Sequence, residues 1–206
     1  MSRVRRVPER ASYDAESVYA ILDAAPIGHV GFTVDERAVV IPMLYGRDGD
    51  VLYLHGSVAS RLQRVLAGGV PLCLTVTLVD GLVLARSTFH HSMNYRSAVV
   101  FGRATPVDED EKAQGLRIVS EHLLAGRWAA SREPNEIELR QTSVLRMEIE
   151  EASAKVRRGG PIDEPEDLTL PIWAGVIPST LTWSPPVGEP DLPDGAVSPT
   201  ELPRLG

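Results

Sequence analysis

The stretch Pro71-Leu72-Cys73-Leu74-Thr75-Val76-Thr77-Leu78-Val79-Asp80-Gly81-Leu82-Val83-Leu84-Ala85-Arg86-Ser87-Thr88-Phe89 decides the fold of this 206-residue chain. Leu72, Leu74, Val76 and Leu78 alternate with Cys73, Thr75, Thr77 and Val79, a two-residue period that gives each face of a strand its own row. Both rows are apolar or small, so the strand is expected to be covered on both faces, or on one face and at an interface. Asp80-Gly81 reads as a hairpin turn, with the strand pattern resuming from Leu82 to Phe89.

Upstream, β-rich runs at His29–Val34, Ala38–Tyr45 and Asp50–His55 are separated by Asp35-Glu36 and Arg47-Asp48-Gly49, which predicts hairpin-linked strands. A helix capped by Asp14 carries Val18, Ile21 and Leu22 and is closed by Pro26. Ser57 is expected to cap a second helix, Val58–Ala67, that ends at Gly68-Gly69. Downstream lie a strand from Arg96 to Ala104, a helix from Asp108 to Gly126 and a last strand from Thr142 to Glu150. Many strands and few helices, without regular alternation, exclude a doubly wound parallel sheet. The expected architecture is mainly β, a small antiparallel barrel with flanking helices.

Three regions follow from composition along the chain. Residues 1–12, with Arg3, Arg5 and Arg6, read as a flexible basic arm; residues 13–158 as the barrel domain; residues 159–206 as a Pro-rich extension. Within the extension, residues 171–178 form an apolar segment, Pro171-Ile172-Trp173-Ala174-Gly175-Val176-Ile177-Pro178, expected to dock on the barrel or on a neighbouring subunit.

Apolar residues make up 43% and charged residues 24%, a globular composition. A net charge of -7 argues against nucleic acid or anionic lipid as a partner. No apolar run suited to a membrane or signal segment follows the basic start, and the expected location is cytoplasmic. Cys73 is the only cysteine, which precludes an intramolecular disulfide, and its apolar neighbours predict a buried, unreactive thiol.

Two polar clusters interrupt the apolar strands. His55-Gly56-Ser57-Val58-Ala59-Ser60-Arg61 leads from a strand into a helix, and its hydroxyls, backbone N–H groups and guanidinium suit a phosphate. An ordinary capped helix with a solvated arginine fits the same residues. His90-His91-Ser92-Met93-Asn94-Tyr95-Arg96-Ser97 is the densest polar cluster. Adjacent strand residues face opposite ways, which disfavours one metal held by both histidines. Either alone suits an axial haem ligand, a proton donor or a flavin partner, and a pair of polar edge histidines is the alternative. His29 and His122 read as surface positions. Phosphate loops, nucleophile elbows, dinucleotide fingerprints and zinc-protease motifs are missing, so a cofactor is expected to carry any difficult chemistry.

Four ordered blocks carry a family resemblance: Ile41-Pro42-Met43-Leu44-Tyr45, Leu52-Tyr53-Leu54-His55-Gly56-Ser57, Asp80-Gly81-Leu82-Val83-Leu84-Ala85-Arg86-Ser87, and Tyr95-Arg96-Ser97-Ala98-Val99-Val100-Phe101-Gly102. Their order and spacing resemble the flavin-nucleotide-binding, nitroimidazole-reductase-like proteins of the pyridoxamine 5'-phosphate oxidase-like split barrels, over residues 8–178. The resemblance implies an FMN-binding antiparallel split β-barrel, a homodimer with the cofactor at the subunit interface, acting on a small-molecule substrate.

By position, Pro42, Met43 and Tyr45 would line the isoalloxazine ring. His55, Gly56, Ser57, Ser60 and Arg61 would approach the ribityl phosphate, and Tyr95, Arg96 and Ser97 would complete the site. The family often has Lys after the small residue that opens the second helix, whereas Arg61 and Leu62 stand here, which changes the geometry of a phosphate contact. The implied activity is a flavin-dependent oxidoreductase passing electrons or hydride to a small organic acceptor. The alternatives are a haem protein with His90 or His91 as axial ligand and a non-catalytic flavin-binding module, with deazaflavin a further cofactor of this fold class. Metal ligands other than an axial histidine are not expected.

Overall fold

The computed structural model describes residues 7–199, so Arg3, Arg5 and Arg6 of the basic arm lie outside the described residues. The strands are β1 (Ala11–Ser12), β2 (Ile27–Val34), β3 (Arg37–Asp48), β4 (Val51–Ser57), β5 (Pro71–Leu84), β6 (Ser92–Pro106), β7 (Thr142–Glu148), β8 (Glu151–Arg157) and β9 (Gly175–Pro178). The helices are α1 (Ala15–Asp23), α2 (Arg61–Ala67), α3 (Glu109–Leu123) and α4 (Glu136–Gln141).

All pairings are antiparallel, and β5, β2, β3, β4, β7 and β6 close a ring in that order. The ring is split at β6, whose Tyr95–Phe101 segment pairs with β8 while Ala104–Pro106 pairs with β7. Gly102 marks the switch: a Cβ there would lie 2.2 Å from the Glu148 carbonyl oxygen, so the crossing requires glycine. β1 extends β8, and β9 adds a strand to β5. The mainly antiparallel β architecture with flanking helices is the one expected from the alternation.

Inside the ring, Leu52, Leu54, Leu72, Leu74, Val76, Ala98, Val100, Leu145 and Met147 are buried. Each large side chain removed from water contributes about 1.5–3 kcal/mol. α1 closes one end of this core with Val18, Ile21 and Leu22, its first turn fixed by Asp14 accepting the Ser17 N–H at 2.8 Å. α3 covers the outside of β3 at Gly46, where a Cβ would meet the Ile118 backbone at 2.7 Å.

Several local expectations are corrected. Asp80-Gly81 is not a turn: β5 continues through it, with a register shift between Val79 and Gly81. The bulge has a reason, because a Cβ at Gly81 would lie 2.8 Å from the Ile177 carbonyl of β9. The chain reverses later, through a 3-10 turn at Thr88–His90, so Phe89 is not in a strand. The last expected strand, Thr142 to Glu150, forms as β7 and stops at Glu148; β8 follows it, and both pair with β6 rather than with each other. α2 begins at Arg61 rather than Val58; its N-cap is Ser60, and Ser57 instead accepts the Ala59 N–H at 3.2 Å. Ala11 and Ser12, expected within the arm, pair with Ala154 and Lys155 of β8.

Candidate functional site

The β2–β3 hairpin turns through Asp35 and Glu36, both with positive φ (47° and 61°), a two-residue turn. This tight reversal sets Phe32 and Val34 beside Val39 and Ile41. Together with Leu62 and Val65 of α2 they wall a groove of about 640 Å³, and Arg37 and Arg61 stand among its lining residues. The walls are apolar, suited to a flat ring, and the two guanidinium groups supply the positive charge. Arg61 is 3.4 Å from Asp35, with both side chains largely exposed, at 77% and 83%. Such a pair adds little stability and leaves the guanidinium available.

The segment leading into α2 is built as a cradle. A Cβ on Gly56 would lie 2.8 Å from Nε2 of Gln63, so glycine lets the helix sit directly on β4. The Ser60 hydroxyl caps no backbone N–H of the helix. His55 is held as a neutral imidazole, because burial pushes its pKa below the usual value, and its buried Nδ1 lacks a hydrogen-bond partner.

The strand residues expected at the ring divide. Pro42 is exposed, opposite His29 on the outer face of the sheet, whereas Met43 points inward and packs on the core. Tyr45 is completely buried and donates its hydroxyl hydrogen to the Leu22 carbonyl, so it does not reach a ligand surface within this chain. Sequence reasoning missed the walls themselves, Phe32, Val34, Val39 and Ile41, and the basic Arg37. Their signal was available in the alternation of the two hairpin strands.

His90 and His91 occupy the reversal between β5 and β6. Nδ1 of His91 accepts the Ala85 N–H at 3.1 Å, so the neutral ring carries its proton on Nε2. Nε2 of His90 faces Glu164 at 3.5 Å, and its ring meets Phe89 edge-on at 5.1 Å. The extension is tied to this loop by Asp163, which accepts from the Arg86 N–H at 2.8 Å and from its guanidinium at 2.7 Å. These bonds outweigh the desolvation of Asp163 and hold its pKa below the ordinary value.

Tyr95 and Ser97 share the outer face of β6, while Arg96 points to the other face and grips Asp80 through Nε (3.1 Å) and Nη2 (2.8 Å). The two polar clusters singled out in the sequence are far apart. The α2 group lies beyond the Ser57 end of β4 and near the Pro71 end of β5, while the histidine loop follows the Leu84 end. At ~3.3 Å per residue these ends of β5 stand roughly 40 Å apart. One chain does not bring them together.

A larger cleft of about 880 Å³ lies between α3 and residues 128–139. Three of its charged groups already serve the fold: Arg47 is bonded to Asp23 at 2.8 Å, and Glu121 accepts the Gly126 and Trp128 N–H groups at 2.6 and 2.9 Å. The groove beside α2 is the better candidate.

Among the described residues no helix is long and apolar enough to cross a membrane, and no cluster of His, Cys, Asp and Glu could hold a metal ion. Comparison with solved structures places this chain beside the flavocytochrome Anf3 from Azotobacter vinelandii, with 42% identity and a TM-score of 0.89 over 96% of this chain and 92% of that one. The FAD and heme binding protein from Mycobacterium smegmatis is also similar, with 36% identity and a TM-score of 0.88 over 93% and 94% of the two chains. No curated protein matches. The pyridoxamine 5'-phosphate oxidase family model matches residues 14–156, and the chain belongs to that family.

Proposed function

We propose that this protein is a homodimeric redox protein that binds a flavin and a haem and passes electrons to a small-molecule acceptor. The observation that carries this reading is the likeness, over nearly the whole chain, to one flavocytochrome and to one protein that binds FAD and haem. It shifts the weight from a flavin-only reductase to the haem alternative, and favours FAD over FMN.

The residues fit a flavin. Phe32, Val34, Val39, Ile41, Leu62 and Val65 would exclude water from a flat ring, and Arg37 and Arg61 would offer forked donors to phosphate oxygens. For haem, the two histidines differ. A ligating histidine donates its second ring N–H, but Nδ1 of His91 is occupied as an acceptor. His90 is paired with Glu164, whose side chain is 58% exposed, so its ring is released at small cost. Phe89 and Met93 beside it offer exposed apolar contact. When bound, a flavin and a haem together supply one- and two-electron chemistry that side chains lack.

A second copy is part of this reading. The α2 group and the histidine loop lie at opposite ends of β5, so a site drawing on both needs two chains. Ile27, Val40, Val79 and Leu82 are exposed apolar residues that such a dimer would cover.

The test is the visible spectrum of the purified protein, with mass analysis of the molecules released on denaturation. Flavin bands with a Soret band and released FAD are expected, and His90→Ala should remove the Soret band while His91→Ala keeps it. Flavin without haem in a fully loaded protein would return the assignment to a flavin-only reductase; a protein that binds flavin but never turns over would be a non-catalytic module.

A further inference from the structure

Arg157 ends β8 with only 5% of its surface exposed. Its guanidinium donates to Asn94 Oδ1 at 2.5 Å, to the Gly159 carbonyl at 3.3 Å and to the Gly160 carbonyl at 3.1 Å. All three acceptors are neutral. Among the described residues no carboxylate forms an ion pair with it, although the chain carries a net charge of -7. A second cation stands beside it. Ala11 pairs with Lys155, which runs Arg10 alongside the end of β8, and among the described residues no hydrogen bond or ion pair engages the Arg10 side chain. Burial and the nearby Arg10 both push the Arg157 pKa down. Tyr95 lies directly opposite Arg157 on the same outer face.

A buried guanidinium without a counter-charge is costly, and a second one beside it adds repulsion. An anion bridging the two removes both penalties, and arginine forks match oxyanions in geometry.

We propose that Arg10 and Arg157 form an anion clamp that takes an oxyanion group of a bound cofactor. The clamp rests on the reading above only for its source, which is either the diphosphate of FAD or the propionates of haem. It lies apart from Arg37 and Arg61 within one chain, so a diphosphate held by the clamp would not also be held by the groove of that chain. Propionates at the clamp would instead leave the diphosphate to Arg37 and Arg61.

The test is titration of inorganic pyrophosphate into the full-length protein by calorimetry, comparing wild type with Arg10→Gln. Arg10 makes no side-chain bond that the fold needs, so this variant is expected to keep its structure; Arg157→Lys, which keeps the charge but not the fork, is the second variant. Pyrophosphate binding should weaken about tenfold or more in both, as expected for loss of a charge-assisted contact. Two ligand pairs then name the source. A loss for FAD but not FMN assigns the diphosphate, and a loss for haem but not its dimethyl ester assigns the propionates. Absence of pyrophosphate binding in the wild type, or equal binding by the variants, overturns the clamp. So do unchanged affinities for both FAD and haem in a protein that binds both. A protein that binds neither cofactor would remove the reading above, and the pyrophosphate titration would still decide the clamp.

Discussion

The ring of Tyr45 lies 4.6 Å from that of His122, tilted by 42°, and joins β3 to α3 beneath the end of α1. The Tyr45 hydroxyl is bonded to the Leu22 carbonyl, and His122 Nε2 to the Ala25 carbonyl at 2.8 Å, so both rings tie off the last turn of α1. Burial pushes the Tyr45 pKa up, which keeps the phenol neutral and donating. Within one chain Tyr45 is thus a core residue of the family block.

Tyr45→Phe should lower stability by about 1–2 kcal/mol, the cost of leaving a buried carbonyl without its donor. Flavin affinity should not change. Urea unfolding and flavin titration of the variant check both parts; a loss of flavin with unchanged stability would reverse the assignment.

Gly102→Ala tests the split in the ring. The added methyl would stand 2.2 Å from the Glu148 carbonyl and 3.1 Å from Met147 Cε, so the backbones of β6 and β7 must part. Overpacking of this kind costs about 3 kcal/mol, roughly 6–12 °C in a domain of this size. Thermal unfolding measures it, and a shift under 2 °C would mean that the crossing is slack.

Much of the barrel was legible because its strands alternate strictly, as in Leu72, Leu74 and Val76. β8 escaped because Glu151-Ala152-Ser153-Ala154-Lys155 has no β-branched residue until Val156; its strand state is imposed by pairing with β6. Asp80-Gly81 was misleading for a different reason. The same dipeptide suits a hairpin turn and a bulge, and only the arrival of β9 at Gly81 chooses between them.

Arg61 and Asp35 give a paired prediction for the groove. Their exposed contact contributes within about 0.5 kcal/mol, so Arg61→Ala should unfold like the wild type. Flavin affinity should nevertheless fall roughly tenfold to a hundredfold if the guanidinium meets a phosphate. Asp35→Asn removes its competing carboxylate and should tighten flavin binding. Fluorescence titration of both variants is decisive, since equal affinities would take Arg61 out of the site.

The candidate site was less legible than the fold. Arg61 could be read from its position behind Ser60, but Arg37 and the apolar walls become a site only when the hairpin folds against α2. Pro42, Met43 and Tyr45 are adjacent in sequence yet alternate across the sheet, so a contiguous block does not make a contiguous surface. His90 and His91 stood out by composition, while the bonds from Ala85 and to Glu164 that distinguish them are tertiary.

Tyr53 makes the stability of the α3 contact depend on alkaline pH. Its hydroxyl donates to Glu111 at 2.7 Å, and burial first, then this carboxylate, push its pKa up from 10.0 to about 12. The unfolded phenol ionises before the folded one, so the stabilisation is complete below pH 10 and is lost as the pH rises towards 12. The slope from one such group is at most about 1.4 kcal/mol per pH unit. Tyr53→Phe should cost about 1.5–3 kcal/mol at pH 8, where a hydrogen bond to a charged acceptor is lost. Its unfolding should then be flatter than wild type above pH 10, so that the two urea midpoints converge. A constant offset between them from pH 8 to pH 11 would mean that Tyr53 ionises at its ordinary value and that Glu111 does not hold its proton.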